Sequence, residues 1–390
     1  MVVCRSYGYH FFDSDITDVD THTKRGEMRK STRLLSALTI TTVLGLVATA
    51  CGSDSTTKPA TADTTGASVV ADTTPTTGGG TSGAKMSILF DLKGRGDKSF
   101  NDSAAVGLDK GKAEFGFDVT EEVRQGSDEA QLLKKSADGG AKLILGVGFA
   151  WGEAMGASAK ENPTINYAIV DSTVDAPNVA GLVFKANEGS FLVGAAAALK
   201  SKTGSIGFIG GVDIPLIQDF YAGYEAGAKA VNPNIKIDAK YISPAGDFSG
   251  FNDDAKARTI ALKQYADGAD VIFHAAGSAG NGLFGAAKEV NASGNKVWAI
   301  GVDSDQALTV AADLAPFILT SMIKHVDVAV YETMKAVNDG TFKGGVRVFS
   351  VKDGGLDYAT TGGNVDDIKA KLDDFKAKIA SGEITVPSVS

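Results

Sequence analysis

The residues best suited to chemistry sit together just after the first apolar run, in Gly94-Arg95-Gly96-Asp97-Lys98-Ser99-Phe100-Asn101-Asp102-Ser103. Asp97 accepts hydrogen bonds, Asn101 both donates and accepts, and Phe100 supplies a flat apolar face. A glycine-flexed loop presenting these three has the parts to hold a planar heterocycle. The same residues also suit a plain turn leading into a helix capped by Ser99 or Asn101. The Arg95-Gly96-Asp97 triplet is not read as an adhesion motif.

Catalytic patterns are missing. There is no Walker A sequence, no G-x-G-x-x-G opening a helix after the first strand, no G-x-S-x-G and no H-E-x-x-H. Two cysteines, Cys4 and Cys51, make neither a disulfide scaffold nor a Cys-rich zinc site. His274 follows a strand and has a place from which to face a cleft, and His325 opens a helix; a structural or solvent-facing role suits each as well. Acid–base work by carboxylates stays open on sequence alone. An acidic pI near 5.1 argues against a nucleic-acid binder, which needs a basic face.

These side chains need elements to position them, and from residue 87 the chain supplies a regular alternation. Strands are expected at 87–92, 118–123, 142–146 and 165–170, with helices at 102–115, 128–138 and 152–160 between them. A second series follows: helix 188–199, strand 205–209, helix 216–231, strand 236–242, helix 253–265, strand 270–273, helix 282–290 and strand 296–301. Strand 317–321, helix 326–337, strand 346–350 and helix 365–380 close the chain. The strands are near-continuous apolar runs, as parallel strands covered on both faces should be. Two such series predict an α/β protein of two doubly wound, three-layer lobes. Ligands of such sheets lie beyond the carboxyl ends of the strands, here the cleft between the lobes.

The first 85 residues read differently. Met28 is followed by Arg29, Lys30 and Arg33, an apolar run over 34–48, and then Ala48-Thr49-Ala50-Cys51. A basic start, an apolar stretch of about 15 residues and small residues before a cut make a secretory leader. A cysteine right after them resembles a lipobox, although Ala48 stands where leucine is usual; a plain leader with an incidental cysteine is the other reading. Residues 1–27, with Asp13, Asp15, Asp18 and Asp20, suit a mis-assigned start ahead of Met28. Segment 51–85 is rich in Ser, Thr, Gly and Ala and reads as a tether. Loss of residues 1–50 leaves 32 basic and 42 acidic residues, a net charge of −10.

Several segments together resemble one family. The loop D-K-S-F-N-D-S, G-F-I-G-G at 207–211, P-L-I-Q-D-F-Y-A-G-Y-E-A-G-A at 215–228 and G-V-D-S-D-Q at 301–306 are similar to the basic membrane proteins. These are substrate-binding lipoproteins of ABC transporters and include purine-nucleoside receptors. The resemblance spans about 85–385 and implies a type I periplasmic-binding-protein fold. It also implies roles. Asp97 and Asn101 would bond the polar edge of a base, and Phe100 and Phe220 would clamp its faces. Asp303 would accept from ribose hydroxyls with Lys324 nearby, and the backbone at Gly277 would approach the ligand. Asp171, closing the fourth strand, is expected to face the cleft. Other roles are open to some of these residues: Phe220 as helix core, Asp303 as the cap of a helix beginning near Gln306, Lys324 as a solvated helix start.

The expectation is therefore a non-enzymatic, lipid-anchored, extracytoplasmic binding protein of an ABC importer. Leader 28–50 and tether 51–85 precede lobe 1 (86–183 and 322–344) and lobe 2 (184–321 and 345–388). Its partners would be a small molecule (a purine nucleoside), a permease, and the membrane through lipid on Cys51. No cofactor, metal or nucleic acid is implied, and the chain would act as a monomer. A sugar or nucleoside-like ligand, or an anchored nucleoside-processing enzyme, are the alternatives.

Overall fold

Alternate residues of each central strand face opposite ways, and in this chain both sets are apolar. In the computed structural model, which describes residues 83–389, they enter separate cores. Chain order begins β1 (Lys85–Phe90), α1 (Phe100–Phe115), β2 (Asp118–Val123), α2 (Glu129–Asp138), β3 (Leu143–Gly146), α3 (Gly152–Glu161), β4 (Asn166–Val170), β5 (Val179–Phe184). It continues α4 (Ala186–Lys200), β6 (Ser205–Val212), α5 (Pro215–Val231), β7 (Lys236–Ser243), α6 (Asp254–Ala266), β8 (Val271–Ala275) and α7 (Asn281–Ala292). Then come β9 (Trp298–Asp303), α8 (Gln306–Thr309), β10 (Ile318–Lys324), α9 (Val326–Asn338), β11 (Gly345–Phe349), β12 (Leu356–Tyr358) and α10 (Lys369–Ser381). Met86, Ile88 and Phe90 of β1 join one core with Leu108 and Met334, while Leu89 joins another with Leu133, Trp151 and Met155. In the second lobe Phe273 and Ile272 part in the same way, Ile272 meeting Ala257, Leu283 and Phe284. Period-two burial on both faces is what a sheet between two helix layers requires.

The two sheets have the orders β11-β5-β4-β3-β1-β2 and β12-β10-β9-β8-β6-β7. Every pairing is parallel except β10 with β12, which is antiparallel. Both sheets belong to one compact unit. The chain passes between lobes after β5, after β10 and after β11. Leader 28–50, Cys51 and almost all of the tether lie outside the described residues.

Strand β11 corrects the expected division of the chain. The sequence division assigns 345–388 to lobe 2, yet β11 pairs along β5 from Gly345↔Ala180 to Phe349↔Phe184 and extends the first sheet. The open edge of β5 needs partners for its backbone groups, and Phe184 stacks on Phe349 with ring centroids 4.7 Å apart. Residues 322–324, expected in lobe 1, complete β10 in the second sheet. Strands β5 and β12 were not expected at all. One is interrupted by Gly181 and the other has three residues, so neither shows a clear apolar run.

Helices α4 and α5 pack unusually closely because α5 carries Gly223 and Gly227. A Cβ there would lie 2.1 Å from the Asn187 carbonyl oxygen and 1.9 Å from that of Phe191. This contact sets α5, and Phe220 with it, against the second sheet.

Candidate functional site

Parallel strands end at the same edge, so the residues just past them converge. In lobe 1 these are Asp91 after β1, Gly148 and Phe149 after β3, and Asp171 after β4. In lobe 2 they are Phe251 and Asn252 beyond β7, Gly277 and Ser278 after β8, Asp303 at the end of β9 and Lys324 at the end of β10. All of them line one cavity between the lobes, of about 670 Å³ including its mouth. Asp97, Phe100, Asn101 and Phe220 complete the wall, so every binding residue expected from the sequence borders the same space.

The centre is a buried charge group. Lys324 of lobe 2 forms an ion pair with Asp171 of lobe 1, with side chains 2% and 6% exposed. The lysine Nζ also lies 4.8 Å from the ring centroid of Phe100, 5.1 Å from Phe184 and 5.8 Å from Phe220. An ammonium so placed is attracted by the ring faces as well as by the carboxylate. The reading of Lys324 as a solvated helix start does not hold, because it ends a buried strand. Asp171 Oδ1 is buried and meets no hydrogen-bond partner.

Asp303 lies beside this pair. Ser99 Oγ, from the facing lobe, donates to its Oδ2 at 2.6 Å. Asp303 does not cap α8, whose first amide instead donates to Ser321 Oγ at 3.1 Å. Burial pushes the Asp303 carboxyl up to about 6; Lys324 and Ser99 pull it down, while Asp171 and Asp97 push it further up. Asp171 and Asp303 have φ of 62° and 63°. Non-glycine residues rarely take this left-handed conformation, though Asp is among those that tolerate it, and such strain gathers at functional positions.

The loop before α1 brings Asp97, Phe100 and Asn101 to the cavity wall, but its side-chain cap is neither Ser99 nor Asn101. Asp97 itself caps the helix: Oδ1 accepts the amides of Ser99 (2.9 Å) and Asp102 (3.1 Å), and Oδ2 accepts that of Asn101 (2.8 Å). Asn101 Nδ2 donates to Asp97 Oδ2 (3.1 Å) and the Leu92 carbonyl (3.3 Å), and its Oδ1 accepts the Asp91 amide (3.2 Å). Both side chains border the cavity while holding the loop in shape. The loop is also fastened to the other lobe. Asn281 Nδ2 donates to the Asp97 carbonyl (3.3 Å), Gln306 Nε2 to that of Lys98 (3.0 Å) and Ser304 Oγ to that of Ser99 (2.9 Å).

Sequence reasoning missed Asp91, Phe149, Phe251, Asn252 and Ser278, all of which line the cavity. Their one available signal was position, in the loops that follow strands; Phe251 and Asn252 lie well beyond the end of β7 and lacked even that. Asp91 Oδ1 accepts Arg124 Nε at 3.0 Å and the Leu92 amide at 2.7 Å. Phe149 meets Phe248 and Phe251 edge-on across the lobes, at 5.3 and 6.4 Å. His274 does not face the cleft. It is fully buried, its Nε2 is 2.9 Å from Gln306 Oε1, and burial lowers it to about 4, so it is neutral. His325 stands at the passage from β10 to α9, and its hydrogen bond to Asp327 raises it above the usual histidine range. Among the described residues no three His, Cys, Asp or Glu side chains are grouped to hold a metal ion.

Two doubly wound lobes around a cavity that combines aromatic faces with buried charges define a two-lobed small-molecule-binding protein. The comparisons with known proteins agree. The family Bmp, described as ABC transporter substrate-binding protein PnrA-like, matches residues 85–390, and the chain belongs to it. The ABC transporter nucleoside-binding protein BmpA of Lactococcus lactis is 39% identical over 319 residues, 78% of this chain and 89% of that one. Basic membrane protein A of Borreliella burgdorferi is 36% identical over 314 residues, 78% and 88% of the two chains. A solved ABC transporter solute-binding protein of Aeropyrum pernix K1 superposes with a TM-score of 0.69 at 30% identity, covering 78% of this chain and 94% of that one. The chain is a substrate-binding protein of an ABC importer, a component that works with a membrane permease. The family consists of binding proteins, not enzymes, which removes the nucleoside-processing alternative.

Proposed function

We propose that this chain binds a purine nucleoside in the cavity between its lobes and hands it to a permease. The observation that carries the reading is the buried Lys324–Asp171 pair with Asp303 alongside, bordered by Phe100 and Phe220. Asp303 and the free Oδ1 of Asp171 accept from vicinal sugar hydroxyls, and charge-assisted bonds of this kind are stronger than neutral ones. Lys324 balances the carboxylates once water is excluded. Phe100 and Phe220 offer faces to the base, at about 1–3 kcal/mol per stacked base. Asp91 offers the base its carboxylate edge. Asp97 and Asn101 act by fixing the loop that carries Phe100, and the Gly277 turn lets backbone approach the ligand. The Lactococcus relative, named for nucleoside binding, supports this choice. Closure of the lobes on the ligand creates the form that docks on the permease.

Titration calorimetry with inosine, guanosine, adenosine and ribose tests the reading. Saturable heat with at least one purine nucleoside is expected, at an affinity well above that for ribose. Binding of ribose with no response to any nucleoside would sink it in favour of a sugar receptor.

The same proposal includes a monomeric chain, a leader over 28–50, lipid on Cys51 and a tether to residue 85 that holds the lobes outside the membrane. Among the described residues no helix is long and apolar enough to cross a membrane. Mass spectrometry of the chain produced in a bacterial host should find Cys51 N-terminal and carrying diacylglycerol. A mature chain with unmodified Cys51 would reject the anchor.

A further inference from the structure

Two buried side-chain atoms in the cavity wall have no hydrogen-bond partner. One is Asp171 Oδ1; the other is Ser278 Oγ. Ser278 is 3% exposed and sits in the short turn Gly277–Gly280 that follows β8. Buried hydroxyls are nearly always bonded, and an exception calls for an explanation. Other serines at the strand ends and facing loops conform. Ser99 donates to Asp303, Ser304 donates to the Ser99 carbonyl, and Ser321 accepts the Gln306 amide. Ser278 borders the cavity as a residue, and its buried hydroxyl, unlike theirs, has no protein partner.

The turn is held in place independently of that hydroxyl. Asn281 Nδ2 donates to the Ser278 carbonyl at 2.8 Å and also reaches the Asp97 carbonyl of the facing lobe at 3.3 Å. Strand β8 lies next to β9, which ends in Asp303, and neighbouring strands are about 4.8 Å apart. Ser278 is therefore one strand along from the carboxylate proposed to hold the sugar. On the other side lies Phe251, whose carbonyl oxygen would be 3.7 Å from a Cβ on Gly277.

We infer that the Ser278 hydroxyl hydrogen-bonds a sugar hydroxyl of the ligand and helps select ligands that carry it. This rests on the nucleoside reading above and extends it by one specificity-determining residue. A hydroxyl without a protein partner is available as donor and acceptor, whichever the ligand group requires. A site that leaves such a group unpaired rejects analogues that cannot bond it. The arrangement also costs the ligand-free protein some stability, the usual price of a preformed site.

The test pairs Ser278→Ala with deoxy ligands. Calorimetry would compare wild type and variant with inosine and with 2′-, 3′- and 5′-deoxyinosine, and melting of the ligand-free proteins would be recorded. The variant should bind inosine roughly five- to tenfold more weakly, the loss of one hydrogen bond. For the one deoxy analogue that lacks the partner hydroxyl, the substitution should change nothing. The ligand-free variant should melt at the same temperature as wild type or higher, since an unpaired buried hydroxyl has been removed. Unchanged inosine affinity would overturn the inference. So would an equal loss on all four ligands, or a lowered melting temperature accompanying the loss. If wild type binds ribose but no nucleoside, the nucleoside reading fails and the same comparison is made with ribose and 2-deoxyribose. If wild type binds none of these ligands, both readings fall.

Discussion

Lys324→Met is expected to weaken nucleoside binding by about a hundredfold or more and to destabilise the ligand-free protein. The substitution keeps most of the length of the unbranched side chain and removes its charge. Asp171, 6% exposed, then loses its ion-pair partner, and Asp303 loses the cation that lowers its carboxyl. Removing one partner of a buried pair costs about 3–5 kcal/mol, because the remaining charge is stranded. Part of that cost is relieved when a carboxyl takes up a proton, and a protonated carboxyl accepts sugar hydroxyls less well. The affinity loss should therefore shrink at low pH, where wild type is protonated too. Calorimetry with inosine and thermal melting read both effects. Affinity within threefold of wild type, with unchanged melting, would take Lys324 out of the site.

Asp303→Ala is expected to weaken nucleoside binding at least about tenfold, the loss of roughly one charge-assisted bond. Its effect on the empty protein at neutral pH should have the opposite sign. The folded carboxyl is raised to about 6, against an ordinary value near 3.9 in the unfolded chain. Between these values the folded state holds a proton that the unfolded state has released. Asp303 thus contributes stability that is present below about pH 4 and lost as pH rises through about 6. In the proposed binding mode the ligand meets the ionised form, so affinity should fall by about tenfold from pH 7 to pH 5. In Asp303→Asn this pH slope should vanish. A wild-type affinity flat over that range, or an alanine variant that binds as wild type does, would remove Asp303 from ligand recognition.

Much of this was legible in the chain because burial in parallel strands leaves a local record. Apolar runs such as Ile88-Leu89-Phe90 are continuous because both faces of β1 are covered. The turns after them carry the polar residues, so closing the fourth strand pointed Asp171 to the cleft, while Asp303 came from the resemblance of its G-V-D-S-D-Q segment. Motif resemblance added Lys324 and Phe220, which no periodicity singles out. Ser278 and Asn252 went unnoticed for a simple reason. A serine or asparagine in a loop is common, and only the loss of solvent and of partners makes one unusual. Asp97 shows the converse: its place in the loop is plain from the sequence, but its carboxylate is taken up by three backbone amides, which only the turn geometry reveals.

By itself the sequence determined the alternation of strands and helices, the two lobes and the edge at which a ligand must sit. These follow from the spacing of apolar residues, which is a local property. Tertiary structure alone decided which strand ends face each other. It joined Lys324 to Asp171, 153 positions away, brought Ser99 to Asp303 across the cleft, and gave β11 to the first sheet rather than the second. Such pairings depend on how open sheet edges and buried charges find partners after the chain has crossed between lobes three times, and no local spacing encodes that choice.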